Sequence, residues 1–135
     1  MIALSLAGRR ILLVEDEYFI ADDMVGYFES RGADVVGPVA SVRGALDLLA
    51  STDKLDAAIL DVNLLGELAY PVADALLERG VPFIFATGYD GAVIPSRYAG
   101  VRRCEKPVAP SYLAKVLFTP HPAQPPRGNS RPISR

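Results

Sequence analysis

Apolar runs of four or five residues recur along this chain, and each stops on a group that carries chemistry. Ile11-Leu12-Leu13-Val14 stops on Glu15-Asp16, Ala57-Ala58-Ile59-Leu60 on Asp61, and Pro82-Phe83-Ile84-Phe85-Ala86 on Thr87. Runs this short and unbroken read as strands covered on both faces, as in a parallel sheet. A weaker run, Val101 to Glu105, leads into Lys106-Pro107. In a parallel sheet the carboxyl ends of the strands share one edge, where ligands bind. Three carboxylates, a hydroxyl and an amine on that edge suit a divalent cation and a phosphoryl group.

Helical spacing fills the intervals. Phe19, Ile20, Met24, Tyr27 and Phe28 recur at helical intervals between Tyr18 and Arg31, and Gly32 is a suitable stop. Asp34 to Pro38 reads as a second strand. Ser41 is placed to cap a helix through Ala50 whose inner face carries Val42, Ala45, Leu46 and Leu49. A third helix spans Pro71 to Arg79 and closes on Gly80, with Pro71 in the first turn. The next crossover is different. Gly88, Gly91, Pro95 and Gly100 interrupt it, which predicts a loop with a turn or two at most. Ser111 to Phe118 is a short last helix. The whole predicts an α/β fold, a doubly wound five-stranded parallel sheet of flavodoxin-like order 2-1-3-4-5 with an irregular or absent fourth helix. That order sets strands 1 and 3 side by side, and Glu15-Asp16 beside Asp61.

With 135 residues the chain has room for one domain and a substantial core. We expect an N-terminal extension over 1–8, the domain over 9–118, and a disordered tail over 119–135, where prolines and arginines replace apolar side chains. No apolar run reaches the roughly 18–20 residues of a membrane span. The start places its arginines after its apolar residues, unlike a secretory signal. The single Cys104 excludes an internal disulfide and reads as a buried small residue. These features predict a cytoplasmic location. Net charge is −2, but residues 1–118 carry 11 basic against 16 acidic groups, leaving −5 on the domain. An acidic domain argues against nonspecific nucleic-acid binding, which needs clustered Lys and Arg.

Three adjacent carboxylates repel one another until a cation neutralises them, and Mg²⁺ (or Mn²⁺) is the hard, oxygen-seeking candidate. Asp16 is the expected direct ligand, with Glu15 acting through water, Asp61 as the third and the Asn63 backbone carbonyl completing the set. An aspartate can also be a nucleophile. Asp61, on the central strand, is best placed to attack phosphorus, with the cation, Lys106 and the Thr87 hydroxyl offsetting charge on the phosphoryl oxygens.

The stretches Ile11-Leu12-Leu13-Val14-Glu15-Asp16-Glu17, Ala58-Ile59-Leu60-Asp61-Val62-Asn63-Leu64, Phe85-Ala86-Thr87-Gly88-Tyr89 and Glu105-Lys106-Pro107 together resemble the receiver domains of two-component response regulators. The resemblance covers about Arg9 to Phe118. It implies phosphoryl transfer from a histidine kinase to Asp61, Mg²⁺ on Glu15, Asp16 and Asp61, phosphoryl contacts from Thr87 and Lys106, and a cis bond at Lys106-Pro107. The run from Pro82 to Tyr89 is similar to the FATGY (FAT GUY) subgroup of single-domain receivers, which implies a kinase of the HWE or HisKA2 type. Most receivers hold an aromatic switch residue three positions before the lysine; here it is Arg103. Phosphorylation is therefore expected to act by ordering the segment 88–100. Tyr89 either covers the phosphoaspartate or is simply a surface aromatic.

The resemblance implies a stand-alone regulator, not an enzyme. It would signal by altered binding to a downstream protein, or drain phosphoryl groups from its kinase. The alternative is a phosphatase or phosphotransferase with Asp61 as nucleophile, as in haloacid-dehalogenase-like proteins. That chemistry wants an aspartate two residues on, where Asn63 stands. An FMN pocket of flavodoxin type would set its phosphate against the carboxylates. Leu113, Val116, Leu117 and Phe118 either add to the core or stay partly exposed as an interface, so a monomer or weak dimer is expected.

Overall fold

Alternation along each strand sends side chains to opposite faces, so a strand buried on both faces needs cover from two layers. The computed structural model, which describes residues 5–88 and 94–118, shows this arrangement. Its strands are β1 (Arg10–Val14), β2 (Asp34–Val39), β3 (Ala57–Asp61), β4 (Asn63–Leu64), β5 (Glu67–Leu68), β6 (Phe83–Thr87) and β7 (Arg102–Glu105). Its α-helices are α1 (Tyr18–Ser30), α2 (Val42–Ala50), α3 (Tyr70–Glu78) and α4 (Pro110–Phe118). Five strands form one parallel sheet, β2-β1-β3-β6-β7. This is the expected 2-1-3-4-5 order, with the small β4–β5 hairpin inserted after the third strand.

Ile11, Leu13, Ile59 and Ile84 face Ala21, Met24 and Phe28 of α1 and Leu113 and Ala114 of α4. Leu12, Leu60, Phe83 and Phe85 face the buried residues of α2 and α3. Every residue of β3 and β6 is buried. Each fully buried apolar side chain contributes about 1.5–3 kcal/mol, so these two layers hold the sheet.

Local chemistry explains most boundaries. The Ser41 side chain accepts from the Gly44 N–H at 3.0 Å and caps α2. The Arg79 guanidinium closes the other end, donating to the carbonyls of Leu49 (2.6 Å), Thr52 (2.8 Å) and Asp53 (3.0 Å). Pro38 lies in β2, an edge strand, where a missing donor is tolerated.

Three expectations shift. Phe19 lies at helical spacing but is 83% exposed, because α1 turns its inner face through Ala21, Met24 and Phe28. Leu6, assigned to an extension, is fully buried, and its N–H donates to the Arg31 carbonyl at 2.9 Å. Leu6 thus packs in the same apolar layer as Ile11 and Phe28. The β4–β5 hairpin adds two short antiparallel strands that no apolar run in the sequence marks. On α4, Leu113 is buried and Val116, Leu117 and Phe118 are half-buried against the core. The expected tail, 119–135, lies outside the described residues.

Where the fourth helix would stand, the described part of the crossover holds one 3₁₀ turn, Ser96–Tyr98. Tyr98 anchors it. Its ring is fully buried, stacked on Tyr70 and edge-on to Phe85. Its hydroxyl donates to Asp74 Oδ1, with the Tyr70 carbonyl 3.2 Å away. Arg97 pairs with Asp74 at 3.2 Å and lies over the Tyr98 ring. Burial, then the Asp74 hydrogen bond and charge, push the phenol up to about 12. Tyr98→Phe keeps the ring and leaves Asp74 without that donor. We expect a loss of about 1–2 kcal/mol, measured by urea unfolding with an unchanged m-value.

Candidate functional site

Register places the chemistry. Val14 lies opposite Leu60, so Glu15 and Asp61 leave adjacent strands side by side. Asp61 in turn lies opposite Ala86, and Thr87 opposite Glu105. The Lys106 N–H donates to the Thr87 carbonyl at 2.8 Å, which ties the lysine to the end of β6. The Glu15 N–H donates to the Val39 carbonyl at 2.9 Å and fixes the acidic pair after β1. The Lys106-Pro107 bond is cis.

Glu15, Asp61 and Thr87 are buried, while Asp16 and Lys106 are partly exposed. Lys106 Nζ lies 3.0 Å from Asp61 Oδ2 and 3.1 Å from Glu15 Oε1. Glu15 Oε2 also accepts from the Glu17 N–H at 3.0 Å. Asp61 Oδ1 is buried and has no hydrogen-bond partner. An uncompensated carboxylate oxygen in that position is costly. Burial first, then the neighbouring Glu15 carboxylate, pushes the Asp61 carboxyl up to about 8, against the opposing pull of Lys106. Burial disfavours the charged lysine, but Asp61 and then Glu15 outweigh it and raise Lys106 above its ordinary value.

One oxygen from each of Glu15, Asp16 and Asp61 lies within 4.8 Å of the others. Ligands about 2.1 Å from an octahedral Mg²⁺ lie roughly 3–4 Å apart, so a small contraction would close this set. The donors are all hard oxygens, and the unpartnered Asp61 Oδ1 gives the cation something to satisfy. The residues fit such an ion.

Asp16 and Asp61 open into a cavity of about 430 Å³ that Asn63, Leu65, Thr87 and Lys106 also line, among others. Asn63 is exposed, and its Oδ1 accepts from the Gly66 N–H at 2.6 Å within the hairpin turn. Arg103 lies elsewhere, beside Tyr98 on a separate cavity of about 290 Å³. Tyr89 lies outside the described residues. Two features escaped sequence reasoning: Leu65 on the cavity, and the bond from Lys106 to Glu15. A leucine before a glycine signals nothing by itself, and the lysine's second partner depends on the length of its side chain.

No family model matches the chain, and no curated protein matches it. Among solved structures it is similar to SdrG from Sphingomonas melonis Fr1, with 41% identity and a TM-score of 0.71 over 84% of this chain and 96% of that one. The BeF3-activated conformation of SdrG, given for Pseudomonas melonis Fr1, shares 41% identity and a TM-score of 0.66 over 82% and 94%. A response regulator receiver protein from Burkholderia phymatum shares 26% identity and a TM-score of 0.67 over 80% and 90%. The five-stranded parallel sheet, the acid-lined edge and the likeness to SdrG lead to one assignment. The chain belongs to the response regulator receiver domains of two-component systems.

Proposed function

We propose that Asp61 accepts a phosphoryl group from a phosphohistidine of a histidine kinase, in a reaction that requires Mg²⁺ or Mn²⁺. The observation that carries this reading is the buried, unpartnered Oδ1 of Asp61, set among Glu15, Asp16 and Lys106. An Asp61 oxygen forms the bond to phosphorus as the phosphorus–nitrogen bond to the histidine breaks. Glu15, Asp16, Asp61 and the Asn63 carbonyl would hold the cation, which when bound neutralises carboxylate and phosphoryl charge. Lys106 swings its ion pair from the carboxylates toward a phosphoryl oxygen, and the Thr87 hydroxyl donates to another.

Output then comes from altered binding to a downstream protein, or from draining the kinase of phosphoryl groups. The run Phe83-Ile84-Phe85-Ala86-Thr87-Gly88-Tyr89, with Arg103 where an aromatic switch would stand, supports the FATGY subgroup and a kinase of the HWE or HisKA2 type. Among the described residues, no helix is long and apolar enough to cross a membrane. We place the domain in the cytoplasm, where such kinases present their histidines. Sustained phosphatase turnover is disfavoured, because Asn63 stands where an acid would be needed and its side chain is committed to a turn.

Asp61→Asn should take up no label from acetyl phosphate with Mg²⁺ while its far-UV circular dichroism stays unchanged. Stoichiometric labelling of that variant would refute the assignment of Asp61.

A pH dependence follows from the site. Folding raises the Asp61 carboxyl from 3.8 to about 8, so the folded state holds this proton more tightly than the unfolded chain. Without a cation, the protonated group's contribution is complete below the unfolded value and is lost as pH rises through about 8. A cation must displace that proton, so Mg²⁺ affinity should climb as pH approaches about 8 and level off above it. Calorimetric titrations across that range check this; Asp61→Asn should bind more weakly and with a flatter pH profile.

A further inference from the structure

The hairpin after Asp61 carries a residue that its backbone geometry disfavours. Leu64 of β4 pairs with Glu67 of β5, leaving Leu65-Gly66 as a two-residue loop. Both loop residues have positive φ, 52° at Leu65 and 91° at Gly66, as in a type I′ turn. The first position of that turn favours Asn, Asp or Gly; a leucine there strains its own backbone. Among the described residues, Leu65 is the one non-glycine with positive φ. Its side chain is also 84% exposed, so burial in the core does not explain the choice.

Leu65 nevertheless lines the same cavity as Asp61, Thr87 and Lys106. The loop is held there firmly. Asn63 Oδ1 accepts from the Gly66 N–H at 2.6 Å, and the Ala69 N–H donates to the Val62 carbonyl at 2.9 Å across the base of the hairpin. Backbone strain and an exposed apolar side chain coincide on the cavity that Asp61, Thr87 and Lys106 line, four residues after the proposed acceptor. Outliers of this kind persist where function needs them.

Building on the phosphoacceptor reading, we propose that Leu65 is a positioning residue that shields phosphorylated Asp61 from water and lengthens the life of the acyl phosphate. Loss of the phosphoryl group requires a water oxygen to bond to phosphorus as the phosphorus–oxygen bond to Asp61 breaks, releasing inorganic phosphate. An apolar wall on the cavity removes sites where that water could be held by hydrogen bonds. A polar side chain at Leu65 would supply one.

Leu65→Asn tests this, because asparagine suits the turn and should leave the thermal midpoint equal or higher. The full-length chain is labelled with acetyl phosphate and Mg²⁺, desalted, and followed by phosphate release. Leu65→Asn should lose label roughly threefold faster or more, while Leu65→Met, apolar and of similar volume, keeps the wild-type decay. Equal decay in Leu65→Asn and wild type overturns the inference. Equal decay with slower transfer from a kinase phosphohistidine also overturns it, in favour of a partner contact. Wild-type protein that takes up no label, or label that survives Asp61→Asn, overturns the phosphoacceptor reading and this inference together.

Discussion

Lys106 reaches across the end of the sheet to touch Asp61 and Glu15 at once, with Nζ 3.0 and 3.1 Å from their oxygens. Two buried carboxylates this near each other repel by roughly 3 kcal/mol at an effective dielectric of ~20, so they share a site only when a proton or a cation stands between them. In the chain as it folds alone, the lysine takes that part. It does so incompletely, since Asp61 Oδ1 stays without a partner and the carboxyl is held well above its ordinary range. The arrangement stores an affinity for further positive charge. On the function proposed above, that affinity would serve twice, for the metal and for the phosphoryl group that follows.

The fold exists to hold those groups where they are. Glu15 and Asp61 stand together because Val14 and Leu60 are paired neighbours, and those two strands are locked between apolar layers. Slipping the register by one residue would send Leu60 and Ile59 to the wrong faces, so packing itself fixes the spacing of the acids. Lys106 is held through its own N–H on the Thr87 carbonyl. On the far side, Tyr98 pins the crossover between β6 and β7 to α3 and packs on Phe85, two residues before Thr87. Rigid strands present the chemistry, and loops at their carboxyl ends shape access to it.

Much of this was legible in the chain because the informative residues interrupt a simple pattern. A buried strand that ends on Asp61 or Thr87 announces its boundary and its polar group together, and Ser41 marks a helix start by its own hydrogen bond. What was not legible depends on distant contacts. Phe19 has the right spacing for the core, yet the orientation of α1 is set by Ala21, Met24 and Phe28, and Phe19 is left outside. Leu6 is buried because its backbone is tied to Arg31, a link local patterns do not reveal. The Leu65-Gly66 turn was hidden because leucine is not a turn residue, and the same mismatch gives it meaning. For Arg103, the structure gives a position away from the acids but no account of why arginine stands there.

The central claim is that Glu15, Asp16 and Asp61 form a preassembled cation site around the phosphoacceptor. Paramagnetic Mn²⁺, titrated at substoichiometric levels into isotopically labelled protein, reads this directly through the amide resonances. The account predicts that the signals of Glu15, Asp16, Asp61 and Asn63 broaden first, and that Mg²⁺ in excess restores them. Broadening that instead begins at exposed acids such as Asp22 and Asp23 on α1, or spreads evenly over the acidic surface, would contradict it.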